Sequence, residues 1–285
     1  MKIFTGSNFI QRRAIVLGRP YCVASWKWFN MLRHRVIPCL LLKNRGLVKT
    51  SRFKDEIYIG DPINAIRIFN DKEVDELVLL DIAATREERE PDFEFLEEIA
   101  SECFMPLAYG GGVTKIEHFH TLLRLGVEKI IVNTALHSNP EMIREAASIF
   151  GSQAIIASID VKRRLFGNRD VMIKSGTKSV GLKPLEAALN AQNLGVGEIL
   201  LTSIDHEGEM MGYDLHLIEL ISQAVSIPVI ASGGAGSIEH FRQAVQQGGA
   251  SAVSAGSMFV FYGKHKAVLI SYPEYSALEE ALQES

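Results

Sequence analysis

Two glycine-rich segments of the sequence carry the residue types that bind phosphate. Residues 110–112 lie in "PLAYGGGVTKIEHF", and residues 233–234 lie in "PVIASGGAGSIEHF". Glycines allow backbone N–H groups to approach a phosphate, and the N-terminus of a following helix adds a favourable dipole. Small polar pairs, at residues 133–134 and 256–257, stand one predicted strand further along the chain. We predict two phosphate sites, with tight turns that bind no ligand as the alternative.

Asp160 is the residue best placed for acid–base chemistry. It ends the segment "ASID", and a carboxylate at the open end of a strand can act as a general acid or base. A structural role, in which it accepts a hydrogen bond from a nearby backbone amide, is the alternative. The segment "CLLLK" at residues 39–43 aligns with "SIDVK" at residues 158–162, so Leu41 occupies the position related to Asp160. Leucine cannot transfer a proton.

Alternating strands and helices are predicted from residue 31 onward. Short β-branched runs predict eight strands, at residues 36–42, 76–81, 105–109, 129–133, 154–160, 198–203, 228–232 and 252–255. A helix-compatible segment follows each run, which favours a single α/β domain, a (β/α)8 TIM barrel, over residues 31–285. In such a barrel the working residues lie at the C-terminal ends of the strands, called the mouth below. A doubly wound open sheet is the alternative.

The chain also repeats itself. "ELVLLDI" from Glu76 aligns with "EILLTSI" from Glu198, and the two glycine-rich segments align at the same spacing, with "IEHF" identical in both. A repeat this long fits two half-barrels rather than a solenoid. The two predicted phosphate sites then lie on opposite sides of the mouth. A further segment, "KRRLFGNRDVMIKSGTKSVG", is predicted to form a hairpin after the fifth strand.

Composition argues against several classes of function. Hydrophobic residues make up 47% of the chain, the net charge is −4, and the 30 basic residues show no pattern typical of nucleic-acid or membrane binding. The three cysteines have neither metal-ligand nor disulfide spacing. We therefore expect a cytoplasmic protein with no metal, no cofactor, no nucleic-acid binding and no membrane association.

Residues 1–30 differ from the rest of the chain because they show no sustained period of 2 or 3.6 residues. Their run "AIVLG" is too short to span a membrane, and "QRR" interrupts any signal-peptide core. We expect a poorly ordered N-terminal extension, or a start that is placed too early. A docking segment is the alternative.

The sequence resembles the cyclase subunit of imidazole glycerol phosphate synthase, the HisF family. The similarity runs from residue 31 to about residue 263 and includes "RVIPCL", "GDP", "DELVLLDI", "NTA", "EAASIFGSQ", "GEILLTSID", "GYDL" and "PVIASGGAGSIEHF". The resemblance implies a lyase-type synthase subunit that receives ammonia from a HisH-like glutaminase subunit at the bottom of the barrel. Ammonia then passes through the interior to the mouth, where a phosphorylated substrate is cyclised and split.

The resemblance also carries residue roles over to this chain. The charged ring at the bottom entrance, the ammonia gate, matches Arg35, Glu76, Lys129 and Glu198, although a purely structural set of ion pairs is the alternative. The catalytic aspartate of the fifth strand matches Asp160. A lysine that closes over the substrate matches Lys49, in the first loop. The phosphate positions match Gly112, Asn133, Thr134, Ser232, Gly233, Gly234 and Ser257.

The sequence departs from the family pattern at two positions. Leu41 replaces the second catalytic aspartate, and Glu207 stands where the family usually has aspartate. Because the cyclisation uses two carboxylates, we expect cyclase activity to be weak or absent. The resemblance is closest to cyclase-like paralogues that deliver ammonia, with a glutaminase, to a separate enzyme that amidinates a surface-polysaccharide sugar; these carry "LLLK" at this place.

Three hypotheses follow from these observations. We favour an ammonia-channelling component whose chemistry is completed by a sugar-amidating enzyme. The alternative is an authentic cyclase of histidine biosynthesis that uses Glu207 or Asp205 as a substitute acid. The third is a metabolite-binding barrel that carries no ammonia and binds no glutaminase.

Overall fold

The computed structural model describes residues 34–164 and 167–283. The predicted extension at residues 1–30 lies outside the described residues. The described strands are, in chain order, β1 (Arg35–Lys43), β2 (Gly46–Ser51), β3 (Lys54–Gly60), β4 (Leu77–Asp81), β5 (Leu107–Gly110), β6 (Lys129–Val132), β7 (Ile155–Arg163), β8 (Arg169–Ile173), β9 (Lys178–Ser179), β10 (Glu198–Ser203), β11 (Val229–Ser232), β12 (Ala252–Ala255), β13 (Phe261–Tyr262) and β14 (Ala267–Val268).

Eight of these strands form a closed parallel barrel. Its order is β1, β4, β5, β6, β7, β10, β11, β12, and the sheet closes where Arg35 of β1 pairs with Ala252 of β12. The predicted (β/α)8 barrel is therefore confirmed, and closure excludes the doubly wound alternative. The eight predicted strands are all present. Two of them, β10 and β12, have the predicted bounds, and the ends of the others differ from the prediction by at most three residues.

Helices follow the barrel strands and cover the outside of the sheet. They are α1 (Pro62–Asp71), α2 (Phe93–Glu102), α3 (Ile116–Leu125), α4 (Thr134–Ser138), α5 (Pro140–Phe150), α6 (Pro184–Asn193), α7 (Leu215–Ser222), α8 (Ile238–Gln246), α9 (Ser257–Val260) and α10 (Tyr275–Leu282). Several begin at a capping side chain: Asp61 accepts a hydrogen bond from Asn64 N, and Asp214 accepts one from Leu217 N. Such caps satisfy backbone N–H groups that the first turn leaves free. Within the described residues, no helix is both long and apolar enough to cross a membrane.

The apolar core has two layers, one on each side of the barrel wall. The outer layer lies between strands and helices and includes Phe69, Phe119 and Phe241, all fully buried. The inner layer fills the barrel with Ile37, Val78, Ala108, Ile131, Ile156, Leu200, Ile230 and Ala252. Because both faces of each strand are covered, the strands read as continuous apolar runs in the sequence.

Two antiparallel additions rise from the mouth. The predicted hairpin after the fifth strand is present, and it continues into a third strand, β9. The second addition is the hairpin β2–β3, which pairs with the end of β1. It corrects the expectation that Lys49 lies in a loop, since Lys49 belongs to strand β2. Its own turn uses Arg52 and Phe53 in left-handed conformations, with φ of 53° and 61°.

Candidate functional site

A single cavity at the mouth brings together the predicted residues of the phosphate and catalytic sites. Loops from both half-barrels contribute to its wall, as the internal repeat requires. The predicted residues that line it are Lys49, Gly112, Asn133, Thr134, Asp160, Ser232, Gly233, Gly234 and Ser257. Leu41 lines the same cavity. Residues far apart in the sequence therefore meet at the C-terminal ends of the strands.

The glycine loops need glycine for both conformation and space. Gly112 has φ of 70° and Gly234 has φ of 120°, values that side chains with a Cβ rarely adopt. A Cβ on Gly234 would lie 2.1 Å from the carbonyl oxygen of Gly212, and one on Gly112 would lie 2.5 Å from that of Arg89. Each loop is thus pressed against a neighbouring loop, with its backbone facing the cavity.

A short helix begins beside each glycine loop. Helix α4 starts at Thr134 and helix α9 starts at Ser257, and both residues line the cavity. The Oγ atom of Ser257 is buried and, among the described residues, has no hydrogen-bond partner. A buried hydroxyl without a partner is uncommon and fits an oxygen that bonds to a ligand. The side chain of Asn133 is held against the barrel wall, because its Nδ2 donates to Ser158 O at 3.1 Å and Met172 O at 3.2 Å.

Asp160 lies on the cavity wall with only 8% of its surface exposed. Ser158 Oγ donates to its Oδ1 at 3.1 Å, and Asn133 Nδ2 lies 3.4 Å from its Oδ2. Burial raises the pKa of Asp160 to about 7, and the Ser158 bond only partly opposes this effect. A carboxyl group with such a pKa exchanges between acid and base forms near neutral pH, as general catalysis requires.

Strand β1 brings no carboxylate to the cavity. Leu41 is 8% exposed and pairs with Val48 of β2 and Leu80 of β4. Its neighbours in register are therefore apolar as well. The position on β1 that corresponds to Asp160 therefore offers no group that can transfer a proton.

Glu207 is buried in the wall of the cavity. It forms a buried ion pair with Lys49, whose own residue surface is only 6% exposed. Its Oε2 also accepts hydrogen bonds from Thr50 Oγ1 at 3.1 Å and Phe53 N at 3.2 Å. Lys49, predicted to close over a substrate, is thus already held against the loop after β10. The sequence showed only an aspartate-to-glutamate change at this position, and nothing local indicated its partners.

A turn of the β8–β9 hairpin also reaches the cavity and was not predicted there. Lys174 and Ser175 have left-handed φ of 52° and 55°. Lys174 N donates to Thr134 Oγ1 at 3.2 Å, and Ser175 Oγ donates to Ile82 O at 2.8 Å. The "KSGT" sequence is a signal for a turn, but it does not say that the turn crosses the mouth.

The four predicted gate residues form a closed ring, the basal ring, at the opposite end of the barrel. Arg35 contacts Glu76 at 2.5 Å and Glu198 at 2.9 Å, while Lys129 contacts the same two residues at 2.9 and 2.8 Å. Burial alone would raise the pKa of Glu198, but hydrogen bonds from Arg35 and Lys129 outweigh it and lower the pKa. Glu76 Oε1 is buried and, in the part of the chain described, has no partner.

The inner apolar layer of the barrel separates the basal ring from the mouth. Along β4, for example, Glu76 immediately precedes the strand, Val78 belongs to the inner layer, and Leu80 lines the cavity. Alternate residues of a strand share one face, so these three side chains point into the barrel in sequence. The interior thus carries charged groups at the basal ring, is apolar in the middle, and carries polar and charged groups again at the mouth.

Comparisons with known proteins agree with this architecture. A family model described as "Histidine biosynthesis protein" matches residues 35–266. The chain is 53% identical over 249 residues to the Pseudomonas aeruginosa protein named "Putative imidazole glycerol phosphate synthase subunit hisF2", covering 87% of this chain and 99% of that protein. It is 47% identical over 256 residues to the "hisF3" protein of Vibrio vulnificus, covering 90% and 98%. It is 42% identical over 229 residues to "Imidazole glycerol phosphate synthase subunit HisF" of Alkaliphilus metalliredigens, covering 80% and 91%.

Proposed function

This chain belongs to the HisF family of histidine biosynthesis proteins, and we propose that it is an ammonia-channelling synthase subunit. It works with a glutaminase subunit at the basal ring and supplies ammonia for the amidination of a surface-polysaccharide sugar by another enzyme. The observation that carries the proposal is a mouth without a β1 carboxylate, because Leu41 takes its place, above an intact basal ring.

The basal ring supports entry of ammonia at the bottom of the barrel. Four charged side chains form a closed ring at the bottom of the barrel. Movement of the Lys129 side chain would break its contacts with Glu76 and Glu198 and open a path for ammonia between the remaining groups. Glu76 Oε1 offers a buried acceptor to an incoming N–H group. Above the ring, the apolar layer favours neutral ammonia over ammonium, because desolvating a charge costs far more than desolvating a small neutral molecule.

Leu41 supports a function other than cyclisation. The family's reaction needs one group to give a proton and a second to take one. Removing such a group costs roughly 10²–10⁴-fold in rate. Asp160 retains a proton-transfer group on its own side of the mouth. The two glycine loops then hold the phosphates of a sugar nucleotide, or are inherited without that use.

Two variants at residue 41 test the proposal. Purified protein is given an ammonium salt and the bisphosphorylated ribonucleotide of the histidine pathway, and product formation is measured. We expect the parent chain to turn over at least about 10²-fold more slowly than an authentic cyclase. Leu41→Asp should raise the rate about 10²-fold, and the matched Leu41→Asn variant, which adds polarity without a proton-transfer group, should not.

A normal cyclase rate for the parent chain would overturn the proposal. A parallel measurement of glutaminase binding tests the partner. A chain that binds no glutaminase of the family's type would favour a metabolite-binding barrel instead.

An authentic cyclase of histidine biosynthesis is the second candidate function, favoured by Glu207. This residue places another buried carboxylate in the cavity that contains Asp160. If Glu207 serves as the substitute acid, the parent chain turns over at a normal rate and Glu207→Gln abolishes the activity. Asp205 is a weaker substitute, because its Oδ2 accepts a hydrogen bond from Arg163 N at 2.6 Å.

A further inference from the structure

The "IEHF" motif recurs identically after both glycine loops, and its histidines have no role in the function proposed above. Helices α3 and α8 begin at the isoleucines of the two copies, Ile116 and Ile238. The phenylalanines, Phe119 and Phe241, are fully buried in the outer core. Packing therefore accounts for the phenylalanines and leaves the two histidines to be explained.

The two histidines make the same hydrogen bond in each half-barrel. Thr114 N donates to His118 Nδ1 at 3.3 Å, and Gly236 N donates to His240 Nδ1 at 3.1 Å. The N-cap residues of these helices, Lys115 and Ser237, make no side-chain capping bond. Each histidine, the third residue of its helix, instead reaches back to a backbone N–H just before the helix, in the manner of a capping-box glutamate.

These bonds act on the loops that form the two halves of the cavity. Thr114 lies two residues after Gly112, and Gly236 lies two residues after Gly234. On its other side, the second loop is held by the bond from Gly212 N to Gly234 O at 2.8 Å. A glycine loop has few conformational restraints of its own, so contacts at both ends are needed to fix the direction of its N–H groups.

Accepting a backbone N–H requires an Nδ1 atom without a proton. His118 satisfies this with its other nitrogen, because Nε2 lies 3.5 Å from Glu90 Oε1 and can donate to that carboxylate. Glu90 is itself paired with Lys115 Nζ at 2.5 Å. A Cβ added to Gly212, whose loop holds Gly234, would lie 3.7 Å from the ring of His240, so this ring lies close to that loop. Both rings thus connect a glycine loop to its surroundings.

We propose that His118 and His240 are positioning residues, each of which sets the conformation of one glycine loop for binding a phosphate group. The inference rests on the phosphate-binding part of the proposed function and assigns each end of the ligand site to one histidine. His118 controls the loop that contains Gly112, and His240 controls the loop that contains Gly234.

Paired substitutions separate positioning from packing. His118→Asn and His240→Asn keep an acceptor near the place of Nδ1, because the Asn side-chain oxygen lies at the same distance from the backbone. His118→Leu and His240→Leu keep an apolar side chain of similar bulk and remove the acceptor. Thermal unfolding of all four variants verifies that each is folded before binding is measured.

Inorganic phosphate is the probe, titrated into the full-length ¹⁵N-labelled chain while the amide resonances of Gly112 and Gly234 are followed. We expect His118→Leu to weaken the response of Gly112 about tenfold and to leave that of Gly234 near the parent value. His240→Leu should do the reverse. Each Asn variant should restore its own site to within about threefold of the parent.

Three outcomes overturn the inference. Leu variants that bind phosphate like the parent show that the hydrogen bond is irrelevant to binding. Leu and Asn variants that lose both sites equally show that the histidines act only through packing. A parent chain in which phosphate shifts neither glycine overturns the phosphate sites as well. In the first two outcomes the parent chain still binds phosphate, so its phosphate sites are not contradicted.

Discussion

Asp160 and Leu41 occupy one cavity, yet they contribute opposite properties to it. Both are almost fully buried, and for Asp160 burial raises the pKa to about 7. In the unfolded chain this carboxyl group ionises at its ordinary, much lower pKa. The folded state therefore binds the proton more strongly. This contribution favours folding at low pH and is lost progressively as the pH rises towards 7.

Asp160→Asn should remove that pH dependence. We expect the variant to gain stability relative to the parent chain as the pH rises from about 4, and the gain to level off above about pH 7. Between pH 5 and pH 8 the difference in unfolding free energy should widen by about 2 kcal/mol. Urea unfolding at several pH values measures it. Asp71→Asn, at an exposed carboxylate, is the control, and a constant difference for Asp160→Asn would contradict the assigned pKa.

At the scale of elements, the hairpin β2–β3 is held across the mouth by the loop after β10. Glu207 bonds Lys49, Thr50 Oγ1 and Phe53 N, and its carbonyl accepts from Arg52 N at 2.9 Å. Gly208 allows close packing, since a Cβ there would lie 2.5 Å from Thr50 O. The hairpin is therefore held over one side of the mouth by contacts within the chain.

Glu207→Gln should release this hairpin. Removing one partner of a buried ion pair leaves Lys49 buried without a counter-ion, which costs about 3 kcal/mol of unfolding free energy. Hydrogen exchange should also become faster at the amides of Arg52 and Phe53. Glu209→Gln is the matched control, because Glu209 bonds Ser51 Oγ and the exposed Arg52 at the surface, where ion pairs contribute little. Equal effects of the two substitutions would show that the hairpin is held by other contacts.

At the scale of the whole molecule, both ends of the barrel carry charged groups, which are paired in a ring at one end and line an open cavity at the other. The basal ring closes one end with paired charges, and the cavity opens the other, with the inner apolar layer between them. Charged groups inside the barrel are costly if the barrel only needs to be stable, because buried ion pairs seldom stabilise a protein more than apolar packing does.

Lys129→Met tests how tightly the basal ring is coupled. The substitution leaves Glu76 and Glu198 with a single cation between them, and we expect the unfolding free energy to fall by about 3 kcal/mol. Arg67→Met is the matched control, because it breaks the exposed Arg67–Glu102 pair on the outer surface and should change stability little. Chemical denaturation of both variants measures the change in unfolding free energy. A Lys129→Met chain as stable as the parent would mean that the ring is not an interdependent unit.

A glutaminase partner should protect one end of the molecule only. Hydrogen exchange of the complex should slow at the beginnings of β1, β6 and β10, which carry Arg35, Lys129 and Glu198. Peptides around Glu207 at the mouth should exchange as they do in the free chain. Protection at the mouth hairpins instead would place the partner on the wrong face and contradict the proposed path of ammonia.

The sequence by itself determined the architecture and most of the site. Strand periodicity, the half-barrel repeat and the glycine loops were enough to predict eight strands, the two glycine loops and Asp160 at the mouth. The resemblance to the HisF family supplied the rest of the predicted site, namely Lys49, the individual phosphate positions and the basal ring. Leu41 is visible in the same way, because a repeat that aligns it with Asp160 needs no coordinates.

Only the tertiary structure decided how these parts are coupled. Four features of the site depend on residues distant in sequence. They are the ion pair of Glu207 with Lys49, the position of the Lys174 turn over the mouth, the hydrogen bonds from the Asn133 side chain to backbone carbonyls, and the raised pKa of Asp160. Burial and hydrogen-bond partners are set by which loops meet at the mouth. The burial and the hydrogen-bond partners of these side chains are properties of the closed barrel, and no local sequence pattern encodes them.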